Sequence, residues 1–326
     1  MHILVLGAAG MVGRKLVQRL VKDGQLGGST ITRLTLFDTV AAENPDATCE
    51  VKIIAGDLTA AGEPERLVAE RPEVIFHLAA IVSGEAEADF EKGYRVNLDA
   101  TRALFEAVRH IGGGYRPRVV FTSSIAVFGA PFPSAIDDTF HATPLTSYGT
   151  QKAIGELLLA DYSRRGFFDG IGIRLPTICV RPGLPNKAAS GFFSGIMREP
   201  LNGKEAVLPV DESVRHWHAS PRAAVNFLIH AATMDTARLG NRRSLTMPGL
   251  AATVGEQIAA LRRVAGDTVA NRIRREPDPT IQKIVSGWPE TFSAKRAEEL
   301  GFKAEATFDE IIQVYIDDEL GGRVPA

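Results

Sequence analysis

The chain opens on a short apolar run, His2-Ile3-Leu4-Val5-Leu6, that meets a glycine cluster at once, Gly7-Ala8-Ala9-Gly10-Met11-Val12-Gly13. A run with no polar alternation suits a strand buried on both faces, and a parallel sheet covered by helices buries its strands in that way. From Met11 to Lys22 the side chains of Val12, Leu16, Leu20 and Val21 share one helical face, so the glycines mark a turn from strand into helix. The rhythm then repeats. Strands are predicted at Leu34–Phe37, Val51–Ile54, Val74–His77, Val119–Thr122 and Ile171–Leu175. Helices are predicted at Glu65–Glu70, around Val96–His110 and over Ser147–Arg164. Because parallel neighbours need a crossover to bring the chain back, this alternation predicts an α/β fold, a doubly wound parallel sheet.

After Leu175 the texture changes. Pro176, Pro182, Gly183, Pro185, Gly191, Gly195 and Pro200 crowd the sequence, and the alternation weakens. Residues 1–178 are read as a dinucleotide-binding domain, with return segments near 211–246. Residues 179–210 and 247–326 are read as a smaller C-terminal substrate lobe. A length of 326 residues can bury a core of that size.

The glycine turn carries the first chemistry. Gly7, Gly10 and Gly13 allow a tight turn, close approach of backbone to a pyrophosphate, and close packing of helix on sheet. The helix start at Met11 and Val12 offers N–H groups and a positive dipole end to phosphates. Asp38 closes the second strand, where a carboxylate can accept both ribose hydroxyls. Its distance from the glycines exceeds the usual ~20 residues, and the polar stretch Gln25–Thr30 absorbs the excess. No Lys or Arg follows Asp38 closely, and its charge would repel a 2′-phosphate, so NAD is expected over NADP. Asp57 and Leu58 follow the third strand and could hold the adenine, although Asp57 serves equally as a helix cap. His77 ends the fourth strand and reads as a packed core histidine; after it, Leu78, Ala79 and Ala80 leave room for the cofactor ribose. Asn97 interrupts a helical stretch and could hold a backbone distortion or a water.

The second chemistry lies in Tyr148-Gly-Thr-Gln-Lys152, preceded by Thr122-Ser123-Ser124 at the end of the fifth strand. Spacing of four puts Tyr148 and Lys152 one helical turn apart on the same face. A free phenol is a weak base at neutral pH, and a neighbouring ammonium favours its ionised form. Tyr148 could therefore take a hydroxyl proton while hydride leaves the same carbon. Ser124 would hold the substrate oxygen by hydrogen bond.

Taken together, the GxxGxxG turn, Asp38, Asp57-Leu58, His77-Leu-Ala-Ala, Asn97, Ser123-Ser124-Ile-Ala-Val-Phe-Gly129 and Tyr148-xxx-Lys152 resemble the extended short-chain dehydrogenase/reductase superfamily. The resemblance implies a seven-stranded Rossmann sheet, a small C-terminal lobe and a homodimer built on paired helices. It makes Ser124 the catalytic hydroxyl and puts Ser123 beside it, near nicotinamide or substrate. Tyr148 and Lys152 would also contact the cofactor ribose, and Pro176-Thr177-Ile178 would border the nicotinamide amide.

Substrate choice rests on resemblance alone. Arg174-Leu-Pro-Thr-Ile-Cys-Val-Arg-Pro-Gly183 followed by Asn186-Lys-Ala-Ala-Ser190-Gly-Phe192 looks like the D-erythronate dehydrogenase family. That implies oxidation of the C2 hydroxyl of a four-carbon sugar acid, with Thr177, Arg181, Asn186 and Ser190 at the substrate and Ser83 reaching it from the loop after the fourth strand. Arg215 stands where nucleotide-sugar enzymes carry R-D-Y-I-H-V and use the arginine on a phosphate, but the sequence departs from that pattern at His216, Trp217 and Ala219. Arg215 or Arg181 would serve a carboxylate through two parallel hydrogen bonds. The alternatives are a nucleotide-sugar epimerase or another dehydrogenase of the superfamily, acting on a uronate or L-threonine. Ile125 follows Ser124 where a dehydratase would want an acid. A non-catalytic dinucleotide sensor would have no need of Ser124, Tyr148 and Lys152.

The remaining expectations are negative or general. A net charge of -2 gives no reason to expect nucleic acid or an anionic membrane as partner. Two cysteines, Cys49 and Cys179, lack a metal-site spacing, so no metal is expected. The first strand begins at His2, leaving no room for a leader, and no apolar run approaches the roughly 18 residues of a membrane span. A cytoplasmic enzyme acting on a small molecule is the expectation.

Overall fold

The computed structural model describes residues 1–183 and 190–325. Seven strands form one parallel sheet: β1 (His2–Leu6), β2 (Arg33–Asp38), β3 (Glu50–Ala55), β4 (Val74–His77), β5 (Arg118–Ser124), β6 (Asp169–Leu175) and β7 (Ser244–Thr246). Their spatial order is β7-β6-β5-β4-β1-β2-β3, so the winding reverses between β1 and β4. At such a reversal the loops leave the sheet in opposite directions and open a crevice beyond the strand carboxyl ends, where ligands bind in sheets of this kind. The doubly wound expectation holds. Ile3, Leu4, Val5 and Leu6 are all fully buried, which is why β1 carries no polar alternation.

Helix α1 (Met11–Asp23) buries Leu16, Val17 and Leu20 and stops at Gly24 in the left-handed conformation. The polar stretch before β2 is a small antiparallel hairpin, Gln25–Leu26 with Ser29–Thr30. The helix predicted around Val96–His110 divides in two. Residues Arg95–Asp99 form a π-helical turn, and α2 (Ala100–Ile111) continues from it. Helix α3 (Ser147–Arg164) begins after Thr146, whose hydroxyl accepts from Gly149 N at 3.1 Å.

The chain divides into two compact units. The first comprises residues 1–127, 144–175 and 225–246 and contains the seven-stranded sheet. The second comprises residues 128–143, 176–224 and 247–326. It holds a three-stranded sheet of Thr177–Ile178, Arg215–Ala219 and Leu250–Thr253, and Ala206–Leu208 paired with Ile273–Arg275. Helices Gly191–Leu201, Val254–Ala265 and Phe308–Glu319 supply much of its core, including Phe193, Ile196, Leu261 and Ile311.

This division differs from the expected boundary in three places, the smallest being residues 176–178, which fall in the second unit. Residues 128–143 belong to the second unit, because Ile136 bridges to Phe292 and exchanges backbone hydrogen bonds with Thr291 and Ser293. Residues 211–224, expected to return to the dinucleotide domain, instead supply the strand Arg215–Ala219 to the second unit's own sheet.

Candidate active site

Residue by residue, the glycine turn is a backbone packing problem. Gly7 has φ +89°, and a Cβ there would lie 2.8 Å from Ala79 N. Gly13 sits in the first turn of α1, and its Cβ would come within 2.1 Å of Gly7 O. Neither position tolerates a side chain without moving backbone. Gly10 is the N-cap of α1 and has no side chain to occupy the N–H groups of Met11, Val12 and Gly13. The turn is anchored on β2 by Gly7 N and Ala8 N, which both donate to Phe37 O, at 2.8 and 3.1 Å. A helix start left open in this way presents donors and a positive dipole end to an anion.

Asp38 stands at the end of β2 beside this turn. One carboxylate oxygen accepts from Ala9 N at 2.9 Å, and the other accepts from Thr39 N at 2.7 Å. The carboxylate is thus held against the glycine turn, half-buried, with acceptor capacity to spare for hydroxyl donors. Asp57 accepts from Thr59 N at 2.9 Å, and this bond holds its carboxyl below the ordinary range. It therefore caps the turn after β3, one of the two roles open to it, while Leu58 is buried.

At the end of β4, His77 is buried and its Nε2 meets Thr101 Oγ1 at 2.8 Å. Burial, and then the charge of Lys152, push it down to about 3, so it is a neutral core residue. Leu78, Ala79 and Ala80 follow, half-buried, with Leu78 and Ala79 lying against Gly7. Asn97 sits inside the π-helical turn. Its amide donates to Ile81 O at 3.2 Å and to Gln151 Oε1 at 2.8 Å, and its carbonyl accepts from Ile81 N at 2.9 Å. It ties the loop after β4 to helix α3. Ser83 opens the short helix Ser83–Ala88 on that loop.

The three catalytic candidates all belong to the first unit. Ser124 ends β5, half-buried, and its Oγ accepts from Ala126 N at 3.1 Å. Lys152 is 2% exposed, donates to Thr122 O at 2.8 Å, and lies 4.9 Å from the Phe121 ring centroid and 5.8 Å from that of Tyr148. Burial pushes it down to about 8, against the pull of Glu156 in the other direction. At neutral pH it still carries its proton. Close packing puts the pair there: a Cβ on Gly149 would lie 2.1 Å from Ala126 O, so only glycine lets α3 start this near the end of β5.

Ser123 precedes Ser124 at the end of β5. It is buried and donates to Glu156 Oε1 at 2.5 Å. Glu156 in turn receives a bidentate pair from Arg174, with Nη2 to Oε2 at 2.7 Å and Nε to Oε1 at 2.9 Å. Ser123 therefore braces helix α3 against the sheet through Glu156. Sequence reading missed Glu156, Arg174 and Gln151. A signal was available for the first: Tyr148, Lys152 and Glu156 recur at spacing four, so α3 carries a charged stripe on its sheet-facing side.

The remaining candidates lie in the second unit, Pro176 among them as its first residue after β6. Thr177 and Ile178 form a short strand paired with His218 and Ala219. Thr177 Oγ1 meets His216 Nε2 at 2.7 Å. Arg181 donates from Nε to Ile178 O at 2.8 Å and from Nη2 to Ser190 Oγ at 2.8 Å. Arg215 lies 3.4 Å from Glu256 and 3.4 Å from Ala251 O. Asn186 lies outside the described residues. Among the described residues, no cluster of His, Cys, Asp and Glu could hold a metal ion, and no helix is long and apolar enough to cross a membrane.

Comparison with known proteins agrees with this fold. The chain is 48% identical over 322 residues to D-erythronate dehydrogenase of Cupriavidus necator, covering 98% of both chains. It is 40% identical to D-erythronate dehydrogenase of Haemophilus influenzae, over 98% of this chain and all of that one. A crystal structure described as a nucleoside-diphosphate-sugar epimerase from Agrobacterium tumefaciens superposes with a TM-score of 0.98 at 67% identity, over 100% of this chain and 96% of that one. A GalE-like L-threonine dehydrogenase from Cupriavidus necator shares the fold, with a TM-score of 0.84 at 23% identity over 98% of this chain and 99% of that one. The signature of the NAD dependent epimerase/dehydratase family spans residues 3–234, and the chain belongs to that family.

Proposed function

We propose that this protein oxidises the C2 hydroxyl of D-erythronate to give 2-dehydro-D-erythronate, with NAD as the acceptor. It is an NAD-dependent dehydrogenase acting on a CH–OH group. The observation that carries the chemistry is the buried Lys152 ammonium one helical turn from Tyr148 and close to its ring. Identity to two D-erythronate dehydrogenases along nearly the whole chain supports the substrate.

The residues present fit the cofactor. The open start of α1 at Gly10, Met11, Val12 and Gly13 would hold its pyrophosphate, and Asp38 would accept from its adenosine ribose. Asp57, Leu58 and Asn97 would border the adenine side or hold the loops around it. Leu78, Ala79, Ala80, Pro176 and Ile178 would line the rest. Bound NAD supplies the hydride acceptor. Tyr148 then takes the substrate hydroxyl proton on its phenolic oxygen. Lys152 lowers the cost of that ionisation by placing a positive charge within reach. Ser124 Oγ orients the substrate oxygen. Arg181 and Ser190 would hold the carboxylate, and Ser83, Thr177 and Asn186 would contact the rest of the acid. Arg215 remains a second candidate for the carboxylate. The homodimer and the cytoplasmic location belong to the same proposal and rest on family resemblance.

Asp38→Ala should raise the Kd for NAD about 10- to 100-fold and narrow the preference over NADP, since each hydrogen bond from a ribose hydroxyl to a carboxylate contributes about 1.5–3 kcal/mol. Titration with both cofactors measures this, and an unchanged ratio would remove Asp38 from the ribose site.

The name carried by the 67% identical structure favours a second reading, a nucleotide-sugar epimerase. The Arg215 guanidinium, the phosphate ligand that reading needs, lies instead against Glu256. NADH formation decides, measured with purified protein, NAD and a panel of four- to six-carbon aldonates, L-threonine and nucleotide sugars. Turnover on D-erythronate above the other acids is the expected result. Isomerised nucleotide sugar without NADH would establish the epimerase.

A further inference from the structure

The segment that departs from the nucleotide-sugar pattern, Arg215-His216-Trp217-His218, holds an arrangement the dehydrogenase chemistry does not use. His216 and His218 alternate with Arg215 and Trp217 along the strand Arg215–Ala219, so the two imidazoles share one face and are buried. His218 pairs in register with Thr177, but its Nε2 is engaged 3.0 Å from the Gln257 amide nitrogen. The Thr177 hydroxyl therefore goes to the neighbouring ring, His216 Nε2, at 2.7 Å. On its other side His216 Nδ1 lies 3.0 Å from Pro289 O. The Phe193 ring stacks on the imidazole with centroids 5.4 Å apart and planes within 7°, and Trp288 packs 5.2 Å away. The ring cannot turn over without losing both contacts.

Hydrogen-bond polarity then follows in one direction. A backbone carbonyl only accepts, so Nδ1 must carry the proton. Burial pushes His216 down to about 4, against the hydrogen bond to Pro289, so the ring is neutral at pH 7 and has one N–H to give. Nε2 is then a bare lone pair. The Thr177 hydroxyl must donate to it, and what the hydroxyl has left is two lone pairs. Were Thr177 to turn its proton toward a ligand, a buried imidazole nitrogen would be left without a partner.

We infer that His216 holds Thr177 as an obligate hydrogen-bond acceptor, so that Thr177 selects a substrate hydroxyl and rejects a carboxylate or any group without an N–H or O–H at that position. The inference rests on the reading above that Thr177 touches the substrate. It makes His216 a positioning residue for specificity. It also gives the carboxylate to Arg181 rather than to the Thr177 side.

The test compares D-erythronate with its 3-deoxy-3-fluoro and 4-deoxy-4-fluoro analogues, each of which replaces one non-reacting hydroxyl by a group that cannot donate. In the wild type, one of the two analogues should lose about 10- to 100-fold in kcat/KM, the loss expected when the hydroxyl donor to a half-buried acceptor is removed. In Thr177→Val that penalty should fall to a few-fold, since the acceptor is gone. In His216→Phe, which keeps an aromatic ring beside Phe193, the Thr177 proton is released to point either way and the penalty should likewise shrink. A bracing role for His216 alone would lower kcat/KM for all three acids alike and leave their ratio fixed. An unchanged ratio in both variants overturns the inference.

Should His216→Phe not fold, nitrogen-15 NMR of the wild type labelled at histidine reads the tautomer directly. Protonated Nδ1 with bare Nε2 is expected, and the opposite tautomer overturns the inference. If the wild type oxidises no sugar acid, the functional reading fails, and the tautomer still decides whether His216 holds Thr177 as an acceptor.

Discussion

Replacing Tyr148 by Phe should lower kcat about 10²- to 10⁴-fold while leaving NAD binding within a few-fold of the wild type, the range expected for loss of a positioned acid–base group. The substitution removes one oxygen and keeps the ring that lies beside Lys152. The proposed supports of the cofactor, the glycine turn and Asp38, sit at the ends of β1 and β2, away from the phenol. Loss of rate without loss of affinity separates a proton-transfer role from a structural one. Steady-state NADH formation and a fluorescence titration of NAD are the two measurements. A variant that retained turnover within about threefold would require another base. His77 is no candidate, since it is buried, bonded to Thr101 and held neutral.

How much of this could be read from the residues depended on whether a signal was local. Each predicted strand of the central sheet was found, extended by no more than two residues at either end. Strands β1, β4 and the middle of β5 announce themselves as apolar runs because they are buried on both faces, whereas the half-buried β3 shows only a shorter apolar pattern around Lys52. Helix α3 was found at its predicted ends, since Thr146 caps it and spacing of four marks its working face. The π-helical turn at Arg95–Asp99 was not legible as such. Inside it Asn97 bonds Ile81 and Gln151, partners far away in sequence, and only an asparagine in a helical stretch hinted at it. The bond from Ser123 to Glu156 was not legible, because a run of two serines does not say which faces the helix, and Glu156 enters from α3. The boundary error at 128–143 has the same origin. The bridge from Ile136 to Phe292, with the backbone bonds beside it and the bond from Arg296 N to Asp138, ties that loop to the second unit, and nothing local to those residues predicts the pairing. His216 was noticed as a departure from a pattern, yet its tautomer needed Pro289 and Thr177 in place before it meant anything.

Lys152→Met should cut kcat by about 10²-fold or more and yet make the protein more stable at pH 7. The loss of rate follows from removing the charge that favours ionised Tyr148. The gain in stability follows from linkage. Burial holds the folded-state value at about 8, below the ordinary 10.5, so the unfolded chain binds the proton more tightly than the folded one between those limits. The ammonium therefore destabilises the fold fully below pH 8, and that cost disappears as pH rises toward 10.5. At about 1.4 kcal/mol per pH unit the cost is about 3 kcal/mol, and losing the bond to Thr122 O returns about 1 kcal/mol of it. A net gain of roughly 1–2 kcal/mol remains for methionine, which replaces a charged chain of similar length with an apolar one. Chemical denaturation at pH 7 and again near pH 10.5 tests both the size and the direction, because the advantage should vanish at the higher pH. A variant less stable than the wild type at pH 7 would mean that the Thr122 bond outweighs the burial of charge. Rate and stability moving in opposite directions would mark Lys152 as a residue that the fold keeps buried at a cost for the sake of its charge beside Tyr148.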